Sequence, residues 1–232
     1  MTEGKDRLKE LFNKRDTLLG RMYEFNELPV RYMHTDWYGA IGLDEPLSLL
    51  IDKSARGQRR LSDYILSKCA IDAREFYSFG RGLDIIALLD AEPLKTLVLL
   101  CGVVNYSRYI RGIIDRQTVN KTIGALGAKV YDFAVKRATL LFPDIGGKTI
   151  GEGAVEDLAI GDGMDCLRRA LNGADKAVIK RMHLKLPKRF VEHWHDGAAI
   201  EPVDEGTAAE AAFIAKRILL KEIKPEWAGL LS

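Results

Sequence analysis

A chain of 232 residues suits one domain or one domain with an appended helical element, and 47% hydrophobic with 29% charged residues can bury a core and coat it with charge. A formal net charge of +2 excludes a whole-molecule electrostatic case for nucleic-acid or membrane binding, so any charge-based function must come from local patches. The three cysteines, Cys69, Cys101 and Cys166, are far apart in sequence and mostly inside apolar stretches. They read as small buried hydrophobes in a reducing compartment, which excludes a disulfide framework.

The N-terminus alternates Lys, Asp, Arg and Glu with leucines through Leu19 and lacks the apolar stretch of an export signal. Leu8, Leu11, Phe12, Arg15, Leu18, Leu19 and Met22 fall on one helical stripe, which predicts an amphipathic helix over residues 1–24. Residues 25–41 break that period. Pro29 bars a helix interior, and Phe25, Tyr32, Trp37 and Tyr38 crowd together, so an extended or turn-containing segment lying on the helices is expected. Short helices follow around 47–51 and 58–69, with 54–60 (SARGQRR) as an exposed connector.

Residues 83–89 predict a short apolar helix, and Glu92-Pro93 opens a longer one running from Leu94 through Val104 to Ile110, Ile113 and Ile114. Its apolar run from Leu97 to Val104 covers eight residues. A membrane span needs about twenty, so the run reads as a buried core helix. The next helix carries Val119, Ile123, Leu126, Val130 and Phe133 and ends at Phe142-Pro143. Six glycines between 146 and 163 predict a long loop with at most one short helix, and a helix starting near Asp162 that buries Met164, Leu167 and Leu171. Another helix runs through 177–182, and 183–187 reads as a brief strand or extended stretch. Residues 197–206 form a linker, and Thr207-Ala-Ala-Glu210 is a capping box for a final helix before Pro225. The expected fold is mainly α: a single compact helical domain over residues 25–232, with at most short β segments, preceded by the N-terminal amphipathic helix.

Fragments that invite a catalytic reading weaken on inspection. Gly147-Lys148-Thr149 resembles the end of a phosphate loop, but Phe142 stands where the motif needs its first glycine and a helix stands where it needs a strand. His193 and His195, spaced two apart, point to different faces of a helix and read as a surface pair beside an anchoring Trp194. Residues 161–165 lack the alternating carboxylates of a calcium loop and read as a helix cap. No nucleophile elbow, H-E-x-x-H, C-x-x-C or G-x-G-x-x-G occurs, so no catalytic residue, metal ligand or cofactor is assigned. An enzyme with a non-motif site using His183, His193 and His195 is the competing reading.

Charge patterning remains. Residues 176–189 hold six basic side chains and no carboxylate, whereas Glu152, Glu156, Asp157, Asp162 and Asp165 precede them with no Lys or Arg among them. These are two solvated faces that pair with each other, or an anion-attracting patch for an acidic protein surface or a nucleic-acid backbone. The near-neutral total charge and the scarcity of interleaved aromatics argue against nucleic acid, leaving a helical nucleic-acid binder using 176–189 as a further alternative.

Residues 131–141 (YDFAVKRATLL), preceded by 110–116 (IRGIIDR) and Leu126-Gly127, resemble the central helical pair of the SctK (YscK-like) family, cytoplasmic accessory proteins of bacterial type III secretion. Residues 25–34 (FNELPVRYMH) are similar to that family's N-terminal Phe-Asn…Pro…Tyr-x-His segment, and 181–187 (RMHLKLP) to its Arg-x-x-Leu-x-Leu-Pro stretch. Residues 2–24 precede the family's usual start, and the glycine-rich stretch 146–163 has no clear counterpart in it. The resemblance implies a non-enzymatic adaptor of the sorting platform. It would link the cytoplasmic domains of the inner-membrane ring to the spoke (pod) protein, bind no nucleic acid, reside in the bacterial cytoplasm and meet the membrane only through protein partners. An adaptor needs two surfaces: Tyr32, His34, Trp37 and Tyr38 are the candidates for one, and Arg181, Lys185, Lys188 and Arg189 for the other.

Overall fold

The structure, a computed structural model, describes residues 17–43, 54–71, 79, 83–150, 154–194 and 204–231. In chain order these form α1 (Leu18–Glu27), three 3-10 turns (Pro29–Arg31, Thr35–Trp37, Gly39–Ile41), α2 (Ala55–Lys68) and a 3-10 helix (Asp84–Leu88). Next come α3 (Ala91–Val103), α4 (Ser107–Arg111), α5 (Arg116–Leu126) and α6 (Ala128–Phe133), the last prolonged by a π-turn (Ala134–Ala138) and the turn Thr139–Leu141. Then follow α7 (Val155–Ala170), α8 (Lys176–Leu184), the turn Lys188–Val191 and α9 (Glu205–Ile218), which a π-turn (Leu219–Ile223) and a 3-10 helix (Pro225–Leu230) continue. Among the described residues no strand occurs, so the mainly α expectation holds and 183–187 is the end of a helix and a turn. The expected helix at 47–51 and the stripe from Leu8 to Arg15 lie outside the described residues.

Internal contacts divide the chain into two units, Met1–Ala91 with Ala174–Lys188, and Glu92–Gly173 with Arg189–Ser232. In the first, Thr17 caps α1 by accepting from the Gly20 N–H at 3.1 Å. The helix runs through Phe25 and Asn26, further than the aromatic spacing suggests, and stops two residues before Pro29. α2 buries Gln58, Leu61, Ser62, Ile65 and Leu66, one stripe at helical spacing. The expected connector 54–60 is instead the start of this helix. Ser54 caps it by accepting from the Gly57 N–H at 3.3 Å, and the arginines occupy its solvent side. Met33, Ile41, Leu61, Ile65 and Leu184 form the unit's apolar centre.

In the second unit α3 is buried nearly all round, as its apolar run demands, and no helix of the described residues is long and apolar enough to cross a membrane. Two glycines decide how it packs. A Cβ on Gly102 would lie 1.8 Å from the Ala159 carbonyl oxygen, and one on Gly163 would lie 2.0 Å from that of Val98. α3 and α7 therefore meet backbone to backbone. This corrects the expected loop over 146–163, since Gly161 and Gly163 lie inside a helix that begins at Val155. Glu156 and Asp157 in its first turn, with Arg168 and Arg169 in its last, complement the helix dipole. Two further corrections concern caps. Gly127, at φ +80°, separates α5 from α6 where one continuous helix was expected. α9 starts at Asp204, which accepts from the Thr207 N–H at 2.9 Å, three residues ahead of the expected box.

The glycine contact is testable against an internal control. Gly163→Ala forces α3 and α7 apart and lowers stability by about 1–3 kcal/mol. Gly124→Ala, where an added Cβ on α5 meets nothing within 4 Å, raises it by about 0.5–1 kcal/mol. Urea denaturation of the two variants beside the parent chain reads both signs.

Candidate functional site

Pro29 and the turns after it lay the aromatic segment across α8. The Tyr32 hydroxyl donates to the Phe25 carbonyl at 2.8 Å, and the two rings stack with centroids 6.1 Å apart. The His34 N–H donates to the Leu184 carbonyl at 2.7 Å, and the Trp37 indole N–H donates to that of Leu186 at 2.9 Å. In return Asp36 accepts from the Lys188 N–H at 3.1 Å, and the Lys188 ammonium lies 5.7 Å from the Trp37 ring centre. Tyr32, Trp37 and Tyr38 also pack on the apolar centre of the first unit. Two stretches assigned to separate surfaces are thus strapped to one another.

Lys185 lies at the middle of this arrangement with only 5% of its surface exposed. Its ammonium donates to the carbonyls of Ala87 and Leu89, both at 2.7 Å, and sits 5.1 Å from the Phe25 ring and 5.0 Å from the Tyr32 ring. Burial pulls the amine down to about 7, with Asp90 and Glu24 acting in the opposite sense. Burial also raises the Tyr32 phenol well above its ordinary range, so the ring stays neutral. An open groove of about 560 Å³ runs beside them, bounded by Arg21, Glu24, Tyr32, His34, Asp90 and Lys185. Its charges are matched: Arg21 pairs with Asp90 at 2.9 Å and Arg31 with Glu24 at 3.8 Å.

The basic stretch 176–189 is therefore not one solvent-facing run. Arg181 is fully buried on α8 and Lys185 nearly so. Lys176 and Lys180 are exposed, Lys188 is half-buried against Trp37, and Arg189, in the second unit, pairs with Glu156. That pair joins the basic stretch to the acidic one, as the paired-faces reading expects. Charge counting along the sequence carries no sign of burial, which is why Arg181 and Lys185 read as surface cations.

Lys148 bonds Asp162 at 2.7 Å, and its N–H donates to the Asn105 carbonyl at 3.0 Å. His183 is buried on α8, His193 is half-buried beside Gly161, and His195 lies outside the described residues. Among the described residues no group of three or more His, Cys, Asp or Glu is arranged to hold a metal ion. The three cysteines are free, and a hydrogen bond with Cys166, then burial, push the Cys101 thiol up.

The chain matches the family described as YOP proteins translocation protein K (YscK) over residues 21–231. It belongs to the YscK family. No curated protein and no solved structure matches it. The YscK match takes in all three stretches that first suggested the family, together with the glycine-rich region, and it begins inside α1. As a YscK protein the chain is a component of type III secretion machinery.

The buried amine makes a pH prediction for this YscK protein. An unfolded lysine titrates near 10.5, whereas the folded Lys185 titrates near 7, so between these values the unfolded chain holds a proton that the native one has shed. Stability contributed by this group accordingly rises with pH above 7, by at most about 1.4 kcal/mol per pH unit. Urea midpoints at pH 7, 8 and 9 should climb for the parent chain and climb less for Lys185→Met.

Proposed function

We propose that the chain is a non-enzymatic structural adaptor of the type III secretion sorting platform, joining the cytoplasmic domains of the inner-membrane ring to the spoke protein beneath. The observation that carries this reading is the YscK match along nearly the whole chain. The chemistry of the side chains supports it. Lys185, Lys148 and Arg189, the cations that could have served a substrate, are engaged with carbonyls, Asp162 and Glu156. Through hydrogen bonds, His34 and Trp37 hold the segment to the end of α8 and the residues just after it, and Tyr32 ties it to α1. Such an arrangement stiffens a surface, which suits a part that transmits position between two partners. The adaptor works at the cytoplasmic face of the inner membrane and meets lipid only through those partners. On this reading the half-exposed edges of Tyr32, His34, Trp37 and Tyr38, with Lys188 beside them, form one continuous contact region.

Two measurements follow. In the bacterium that makes this chain, removing it should disperse fluorescently tagged spoke protein from membrane foci into the cytoplasm; foci of undiminished number and brightness would contradict an adaptor role. Trp37→Phe removes the indole N–H that reaches Leu186 while keeping most of the ring, and should cost about 0.5–1.5 kcal/mol of stability and partly weaken foci.

A further inference from the structure

The groove beside Lys185 balances its own charges, and in the smaller cavity around Lys148 that cation is paired with Asp162. The second unit holds a surface of a different kind. Its segment 107–141 carries seven Lys and Arg side chains against Asp115 and Asp132, all of them exposed. Both carboxylates are already occupied. Asp115 caps α5 through the Thr118 N–H at 2.7 Å, and Asp132 pairs with Lys136 at 3.0 Å. Arg137 has its own partner in the nearly buried Glu222, at 2.7 Å. Arg111, Arg116 and Lys129 have no ion pair among the described residues, and Arg111 reaches only the Thr139 hydroxyl, at 3.4 Å.

Among these cations stand apolar side chains that the fold leaves in water. Ile114, in the connection between α4 and α5, is 96% exposed, and Leu140 is 76% exposed. Tyr109 is also exposed. The hydrogen bonds of Arg111 to Thr139 and of Arg108 to the Pro143 carbonyl hold α4 and its neighbours against the end of the α6 extension, so Ile114, Arg111 and Leu140 are carried by adjoining elements. Isolated apolar residues on a surface are ordinary. A β-branched side chain left almost wholly bare, with a second bare aliphatic on the adjoining element and unpaired cations on both, is the composition of an interface lacking its other half.

We propose that this face, from Arg108 to Arg116 and from Lys129 to Leu140, docks an acidic protein segment whose apolar side chains cover Ile114 and Leu140. Carboxylates on that segment meet Arg111, Arg116 and Lys129, steering its approach, while Ile114 and Leu140 supply the contacts that hold it. A nucleic-acid backbone would use the cations and leave both aliphatics in water, so the apolar pair decides for protein. The inference rests on the adaptor reading for which protein supplies the segment, and on the structure for where it binds.

The test uses the full chain with the purified cytoplasmic domain of the inner-membrane ring protein and, separately, the purified spoke protein of the same secretion system. Binding is followed by titration calorimetry at low and high salt. The parent chain should bind at least one of them, more weakly as salt rises. Arg111→Glu with Arg116→Glu, and separately Ile114→Ser with Leu140→Ser, should each weaken that binding by about tenfold or more. Arg56→Glu with Arg60→Glu on α2 should leave it unchanged. Far-UV circular dichroism should be the same for every variant, because all the altered side chains are exposed. Parent-like binding by both face variants overturns the inference and leaves the adaptor reading standing. Failure of the parent chain to bind either protein removes both. Tighter binding of a duplex oligonucleotide, lost in the charge variant alone, assigns the face to nucleic acid and overturns the inference.

Discussion

A lysine ammonium taken out of water must find acceptors or give up its proton, and in the first unit this requirement organises everything near the aromatic segment. Lys185 meets it by donating to two carbonyls at the end of the 3-10 helix Asp84–Leu88 and by lying between two ring faces. Three segments far apart in the chain, around Phe25, Leu89 and Leu186, are thereby fixed to one point. The two carbonyls suit the neutral amine as well as the charged one, because either form has at least two N–H groups to give. The site can thus tolerate a lowered pKa without losing its bonds. Once Lys185 is fixed, the Leu184 and Leu186 carbonyls on either side of it are presented to His34 and Trp37, and the aromatic turns have only one place to lie.

The second unit is organised by an absence of atoms. With no side chain at Gly102 or Gly163, α3 and α7 approach until carbonyl oxygens occupy the positions where methyl groups would be. Dispersion between close-packed backbones replaces side-chain interdigitation there, and the register is narrow because a shift of one residue would bring a Cβ into a carbonyl. α7 in turn carries Cys166 to the Ala211 carbonyl of α9, so the same close contact reaches through to the C-terminal helix.

How much of this could be read beforehand depended on whether the deciding feature was a pattern or an encounter. The body of α2 and the whole of α3 were legible because period and apolar content are properties of the local sequence, and the turn-rich character of 25–41 followed from Pro29 and its aromatic neighbours. The expected helix from Glu92 to Ile114 is instead broken by a 3-10 turn at Val104–Tyr106 and ends at Arg111. Gly161 and Gly163 misled for a physical reason: glycine weakens an isolated helix, and at Gly163 only the facing Val98 carbonyl makes it the required residue. The cap at Asp204 was missed because Thr207 also fits the cap pattern, and the choice between them lies in backbone geometry. Arg181 and Lys185 read as surface cations because charge is visible in a sequence and desolvation is not. The family, in contrast, was legible from the ordered co-occurrence of three short stretches, all of which fall inside the matched residues.

Burial also changes where the molecule's usable charge resides. The densest basic run in the sequence, 176–189, gives two cations to the interior of the first unit and one to the Glu156 pair. The cations around α4, α5 and the extended α6 are spread over the thirty residues from Arg108 to Arg137, interrupted by apolar positions, and form no run at all. Helical folding reverses their standing. The interior takes Ile110, Leu126, Val130 and Phe133 and leaves the basic residues together on the outside, with Ile114 and Leu140 among them. A charge patch assembled this way has its positions set by backbone hydrogen bonds rather than by flexible loops. A partner that fits it therefore meets little ordering cost, and discrimination comes from the spacing of Arg111, Ile114 and Leu140 more than from total charge.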